Sequence, residues 1–148
     1  KDIAEDILQD SFIKIFSSIG SFKSKGEGAF KAWISRITVN EALMYLRKQK
    51  RCNFIEFQDH LPDIPEDAEP DIGNIPAAEI QKMIQSLSDG YRTIFNLVAL
   101  EDKSHKEVAE LLGITESTSA SQFHRARKIL AKKITDYNKR NDAGTARK

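Results

Sequence analysis

A chain of 148 residues with 40% hydrophobic and 30% charged residues has the composition of a globular protein, with room for one ordinary domain or two small ones. No apolar run approaches the ~20 residues that cross a bilayer and no secretory signal opens the sequence, so membrane insertion is not expected and a cytoplasmic location is. Cys52 is the single cysteine, which rules out an internal disulfide, and the net charge of +1 conceals an uneven distribution: residues 1–51 carry +4, residues 52–78 carry −7 and residues 79–148 carry +4.

With four prolines and seven glycines in all, long helices are permitted over most of the chain. Ile7, Leu8, Ser11, Phe12, Ile15, Phe16 and Ile19 recur at helical spacing, and Gly20 is expected to stop this first helix. A polar loop from Ser21 to Gly28 follows. Phe30, Trp33, Ile34 and Ile37 mark a second helix expected to reach about Lys50, with the basic tail Arg47-Lys48-Gln49-Lys50-Arg51. Two helices bury little apolar surface alone, so this first unit (residues 1–51) is expected to lack helices that precede Lys1.

Residues 52–78 read as a linker. They hold all four prolines (Pro62, Pro65, Pro70, Pro76), Gly73, seven acidic residues, no Lys or Arg and no apolar periodicity. The second unit spans residues 79–137 and shows four helical patterns. Ile80, Met83, Ile84 and Leu87 mark the first of these. Tyr91, Ile94, Phe95 and Val98 mark the next, with Ser88 or Asp89 as N-cap. Ser104 followed by Glu107 is a capping box that opens the third, whose apolar face is Val108, Leu111 and Leu112. The fourth is expected from about Glu116 to Tyr137, leaving residues 138–148 as a disordered tail.

The third and fourth patterns together have helix-turn-helix spacing. Ala109 is small enough for the helix crossing, Gly113 suits the tight turn, Ile114 supplies an apolar anchor and Thr115 can cap the following helix. Steps of about 100° per residue place Ser119, Phe123, Ala126 and Leu130 on one inner face of that helix. Ser117, Ser121, His124, Arg125 and Lys128 fall on the opposite face. Short side chains near the N-terminus let the backbone approach DNA, and serine hydroxyls and helix amides suit phosphate. Arg125 and Lys128 add cations, and Arg125 has the reach for a guanine edge. Lys106, Thr118 and Gln122 complete the candidate contacts.

These residues, taken together, carry a resemblance to the bacterial sigma factors of the extracytoplasmic-function group. "AEDILQDSFIKIF" (Ala4–Phe16) is similar to the region 2 helix that docks on the clamp helices of RNA polymerase. "FKAWISRITVNEALMYLRKQKR" (Phe30–Arg51) resembles the rest of region 2, which recognises and melts the minus-ten promoter element. "LSDGYRTIFNLVALEDKSHKEVAELLGITESTSASQFHRARKIL" (Leu87–Leu130) is similar to region 4, which reads the minus-thirty-five element.

The resemblance implies an all-α fold of two small helical domains joined by the acidic linker. It places Asp6, Gln9, Asp10, Phe12, Ile13 and Phe16 where the family contacts core polymerase, although several of these apolar groups must also serve the domain core. It places Phe22, Lys23 and Lys25 in the loop that holds a flipped minus-ten base, and an aromatic plane beside cations is suitable chemistry for one. Asn40 matches an asparagine near that pocket. Arg36, Asn40, Leu43 and Arg47 share one helical stripe that can present a nucleic-acid face, while Trp33 is expected to fill the core. The linker would run through the polymerase as a phosphate mimic or serve as a solvating tether. Core RNA polymerase, promoter DNA and an anti-sigma factor are the implied partners.

The sequence also departs from the family pattern. Ser119 stands where relatives carry an aliphatic residue, Ala120 where they carry a base-reading Lys or Arg, and Gln122 where Arg is common. Other functions fit less well. His60, His105 and His124 lie far apart with no paired Cys/His spacing, and there is no phosphate-binding glycine loop, so no catalytic residue, metal or cofactor is expected. A stand-alone helix-turn-helix regulator with an N-terminal interaction domain and a helical protein-interaction module are the alternatives.

Overall fold

The computed structural model describes residues 2–49 and 69–146. Among these residues the regular structure is entirely helical: α1 (Ile3–Ser18), α2 (Ala29–Lys48), α3 (Ala77–Gln85), α4 (Asp89–Phe95), α5 (His105–Leu112) and α6 (Glu116–Thr145). Contacts divide the chain into two compact units, residues 1–52 and 53–148. Lys50, Arg51 and residues 52–68 of the acidic linker lie outside the described residues.

In the first unit α1 packs on α2. Asp2 caps α1 by accepting from the Ala4 amide at 2.9 Å. Its contact face is narrower than the apolar periodicity suggests: Ser11 and Ile15 are buried, and Leu43 is buried from α2. Ser11 is small enough to let α2 approach, and its hydroxyl donates to the Ile7 carbonyl at 2.7 Å, so burial leaves no orphan. An ion pair between Lys14 and Glu41 ties the two helices at the rim. The α-helix ends at Ser18 and tightens into a 3₁₀ turn over Ile19–Ser21, ahead of the stop expected at Gly20. Ser17 and Ser21 donate to the carbonyls of Ile13 and Ser18 at 2.8 and 2.7 Å, which supplies the alternative partners that end the helix. At the far side of the loop, Gly28 is the N-cap of α2 with φ 79°, a left-handed value suited to glycine.

The second unit is built around Leu87, Tyr91, Ala126 and Leu130, with Met83, Ile84, Phe95 and Ile129 packed against them. Ile94, Leu97, Val108 and Leu112 are buried as well, so α4, α5 and α6 all contribute to the interior. The pattern running to Val98 predicts a continuous helix, but α4 stops at Phe95 and Asn96–Leu100 form a wider π turn. This turn buries Leu97, and the Lys103 amide reaches its carbonyl at 2.9 Å.

Two expectations at the ends of this unit are corrected. The stretch read as the end of a linker is ordered: Gly73 donates its amide to the Asp71 carboxylate at 2.8 Å, the Ile75 amide donates to the Ile72 carbonyl at 3.1 Å, and the Ile75 side chain is buried. A single buried isoleucine carries no periodic signal, which is why composition alone reads this stretch as tether. The tail expected to be disordered from residue 138 is helical through Thr145. Arg140 donates to the Asp136 carbonyl at 3.3 Å, Thr145 to the Asn141 carbonyl at 2.7 Å and the Asn138 side chain to the distant Asp71 carbonyl at 2.8 Å, partners that hydrophobic periodicity does not register.

Candidate nucleic-acid interface

The helix-turn-helix is set by its caps. Ser104 accepts from the Glu107 amide at 3.1 Å while the Glu107 carboxylate accepts from the Ser104 amide at 3.2 Å, a complete capping box at the start of α5. Gly113 ends α5 with φ 68° and returns its amide to the Ala109 carbonyl at 2.9 Å; Ile114 reaches the same carbonyl at 3.1 Å. Thr115 then caps α6, accepting from the Thr118 amide at 3.1 Å. Only Gly113, Ile114 and Thr115 separate the two helices.

The hydroxyl-rich opening of α6 is a hydrogen-bonded network. Thr115 Oγ1 lies 3.1 Å from Ser117 Oγ and 2.9 Å from Thr118 Oγ1, and Ser121 donates to the Thr118 carbonyl at 3.1 Å. These residues have modest helix propensity, but here they serve the first turn, where four amides lack intrahelical partners. Ser117 and His124 are exposed; Thr118, Ser121, Arg125 and Lys128 are half-buried. Lys106 is exposed on α5. An amide-rich helix start followed by Arg125 and Lys128 is chemistry suited to a phosphate backbone.

The inner face of α6 differs from expectation at two positions. Ser119, Gln122, Ala126 and Leu130 are buried, whereas Phe123 is half-buried. Gln122, expected to reach DNA, is 4% exposed and its Nε2 is buried with no protein partner, so it belongs to the interior of the unit. Spacing explains the change. Residues 119, 122, 126 and 130 follow the i, i+3, i+4 rhythm of one helical stripe, and the amide of Gln122 falls on it. Phe123 sits at the edge instead, stacked on Phe95 at 5.9 Å and edge-on to His105 at 5.8 Å.

Sequence reasoning missed His105. Its Nδ1 lies 2.8 Å from the Oγ of Ser119, which is fully buried, so a polar contact joins the first turn of α5 to α6. Ser119, which departs from the aliphatic residue of relatives, is thus a hydrogen-bonding residue rather than a gap in the core. Nothing in the spacing of His105 signals this, because the two residues meet only through the turn.

In the first unit the flipped-base candidates lie in and beside the loop after the 3₁₀ turn. Phe22 is half-buried against Phe30 and Trp33, with ring centroids 5.4 and 5.1 Å away, while Lys23 and Lys25 are exposed. Trp33, expected to fill the core, is half-buried and joins this aromatic cluster, and Phe30 is a member that sequence reasoning left out. On α2, Arg36, Asn40 and Arg47 are exposed, but Leu43 is only 3% exposed. Leu43 is removed from the proposed stripe; it packs toward α1, and its neighbours flank it. On α1, Gln9, Asp10, Phe12, Ile13 and Phe16 are exposed and Asp6 half-exposed, with Phe12 and Phe16 stacked at 6.3 Å. Phe16 is 71% exposed and Ile13 66%, a large apolar surface for the C-terminal half of a helix packed on its other side.

Among the described residues no helix is long and apolar enough to cross a membrane, and no group of three or more His, Cys, Asp or Glu is placed to hold a metal ion. One unit thus exposes aromatic side chains and the other is a helix-turn-helix whose last helix carries Arg125 and Lys128, chemistry suited to nucleic acid.

Comparison with known proteins agrees with this division. Residues 1–52 match sigma-70 region 2 and residues 77–130 match sigma-70 region 4. The chain is 32% identical to the ECF RNA polymerase sigma-E factor of Haemophilus influenzae, over 87% of this chain and 73% of that protein. It is 30% identical to the ECF RNA polymerase sigma factor SigW of Bacillus subtilis, over 90% of this chain and 76% of that protein. A third relative, the ECF RNA polymerase sigma factor SigE of Mycolicibacterium smegmatis, is 29% identical over 97% of this chain, which spans about half (54%) of that protein. The chain belongs to the extracytoplasmic-function (ECF) sigma factors of the sigma-70 family.

Proposed function

We propose that this chain binds core RNA polymerase and directs it to promoters, with its first unit opening and reading the minus-ten element and its second unit reading the minus-thirty-five element. The observation that carries this reading is the order of the two matched regions along one chain, region 2 followed by region 4. A stand-alone regulator would use the first unit only as an interaction domain, which leaves its match to sigma-70 region 2 without a reason.

Residue roles follow from the surfaces. Phe12, Ile13 and Phe16, with Asp6, Gln9 and Asp10, form the polymerase-docking face of α1. Phe22, Lys23 and Lys25 receive an unstacked minus-ten base, and Arg36, Asn40 and Arg47 follow the melted strand along α2. Ser117, Thr118, Ser121, His124, Arg125 and Lys128 of α6, with Lys106 of α5, contact the upstream duplex. The chain performs no bond-making; polymerase does. A protein inhibitor that masks the docking face is the remaining proposed partner, and the cytoplasm, where polymerase is found, is the proposed location.

The test is reconstitution. Core polymerase mixed with the full chain is expected to initiate selectively from a subset of a randomised promoter library, and core alone is not. Failure of an intact, folded chain to bind core would overturn the proposal.

A further inference from the structure

We propose that Lys132 carries the DNA face of α6 onto the phosphate strand bordering the major groove, and that Asp136 is its stand-in partner until DNA arrives. This rests on the reading of the second unit as the part that contacts the upstream element. The matched region 4 segment ends at Leu130, yet α6 runs unbroken to Thr145. A continuous helix keeps its faces in register, so side chains past Leu130 continue the surface that precedes them. Steps of about 100° put Ser121, Arg125, Lys128 and Lys132 within about 60° of one another, turned away from the buried Ser119, Ala126 and Leu130.

Distance sets how far that face can follow DNA. Arg125 is the cation with the reach for a base edge, and Lys132 follows it by seven residues, roughly 10 Å along the helix axis. The major groove is about 12 Å wide, so a helix whose first turns lie in it passes over the bordering phosphate strand within about that distance. Lys132 is placed there, and it is exposed. Lys139 shares the stripe but stands seven residues further on, about 21 Å from Arg125 and past that strand.

The side chain is held in a way that suits exchange. Lys132 Nζ lies 3.2 Å from the Asp136 carboxylate, and both side chains are about half exposed. A lysine four residues ahead of its acid is the weaker order for an ion pair along a helix. The ammonium can therefore pass from the carboxylate to a phosphate oxygen, while Asp136 returns to water.

The test uses holoenzyme formed from core RNA polymerase and the full chain, bound to a promoter duplex selected from a randomised library and titrated with salt. Lys132→Gln is expected to lower the magnitude of the slope of log K against log salt by about 1, the loss of one phosphate contact. Lys139→Gln is expected to leave the slope unchanged. Asp136→Asn is expected to tighten binding by up to about fivefold, the range for an exposed ion pair, and the gain is expected to vanish when Lys132→Gln is added. An unchanged slope in Lys132→Gln overturns the inference. So does an equal fall in Lys139→Gln, which would report net charge alone, or a gain from Asp136→Asn that survives without Lys132. A wild-type holoenzyme that selects no promoter overturns the sigma-factor reading, and this inference with it.

Discussion

Ser119 and Gln122 show how single positions in α6 change meaning between sequence and structure. Ser119, an inner-face position where relatives carry an aliphatic residue, and Gln122, a candidate DNA contact, are both buried, and Ser119 is bonded to His105. The cations of α6 proposed to contact DNA are Arg125 and Lys128, one to two turns later, with Lys132 beyond them. Arg125→Ala is expected to weaken binding to an upstream-element duplex and to lower the magnitude of the slope of log K against log salt by about 1, as for loss of one phosphate contact. An unchanged slope in a salt titration removes Arg125 from the backbone contacts. Gln122→Met keeps volume while removing an unpartnered buried amide nitrogen. It is expected to leave duplex affinity unchanged and to shift stability by no more than about 1.5 kcal/mol in urea denaturation. A marked loss of duplex affinity with stability retained would return Gln122 to the interface.

The six helices were largely legible in the sequence because each carries a local physical signal. Ser104 with Glu107, Gly113 and Thr115 fix three helix ends by capping chemistry that needs no tertiary information, and all three occur as read. Gly113→Ala is expected to cost about 1 kcal/mol, since φ 68° disfavours a Cβ even though there is open space around it. Ser104→Ala is expected to cost roughly 0.5–2 kcal/mol by removing one half of the capping box. Thermal or urea unfolding of each variant measures these losses, and wild-type stability in both would mean that the turn is held by packing alone. What the sequence did not disclose depends on partners distant along the chain. The π turn at Asn96–Leu100 breaks a pattern whose periodicity continues unchanged, and Ile75 and Asn138 find their partners only once α6 is folded. On α1 the periodicity marked a broad apolar stripe, but only Ser11 and Ile15 are buried, so the stripe serves two surfaces rather than one.

For the molecule as a whole, the central feature is a division of labour between two units of the same chain. The docking face of α1 and the reading face of α6 are proposed to act on different partners, and neither alone is expected to suffice for initiation. Both positive blocks of the sequence, +4 over residues 1–51 and +4 over residues 79–148, fall in units proposed to meet nucleic acid. Association of the holoenzyme with promoter DNA is accordingly expected to weaken steeply as salt rises, and filter binding across a salt series checks this. Phe22→Ala is expected to impair strand opening more than duplex binding, because a stacking plane acts only on an unpaired base; removing one such contact costs about 1–3 kcal/mol. The measurement that tests the account most directly is permanganate reactivity of minus-ten thymines on a promoter selected from the library. The account predicts reactive thymines when the chain and core polymerase are both present, and none with either alone. A chain that binds the duplex by itself and produces no reactive thymines when polymerase is added would contradict it.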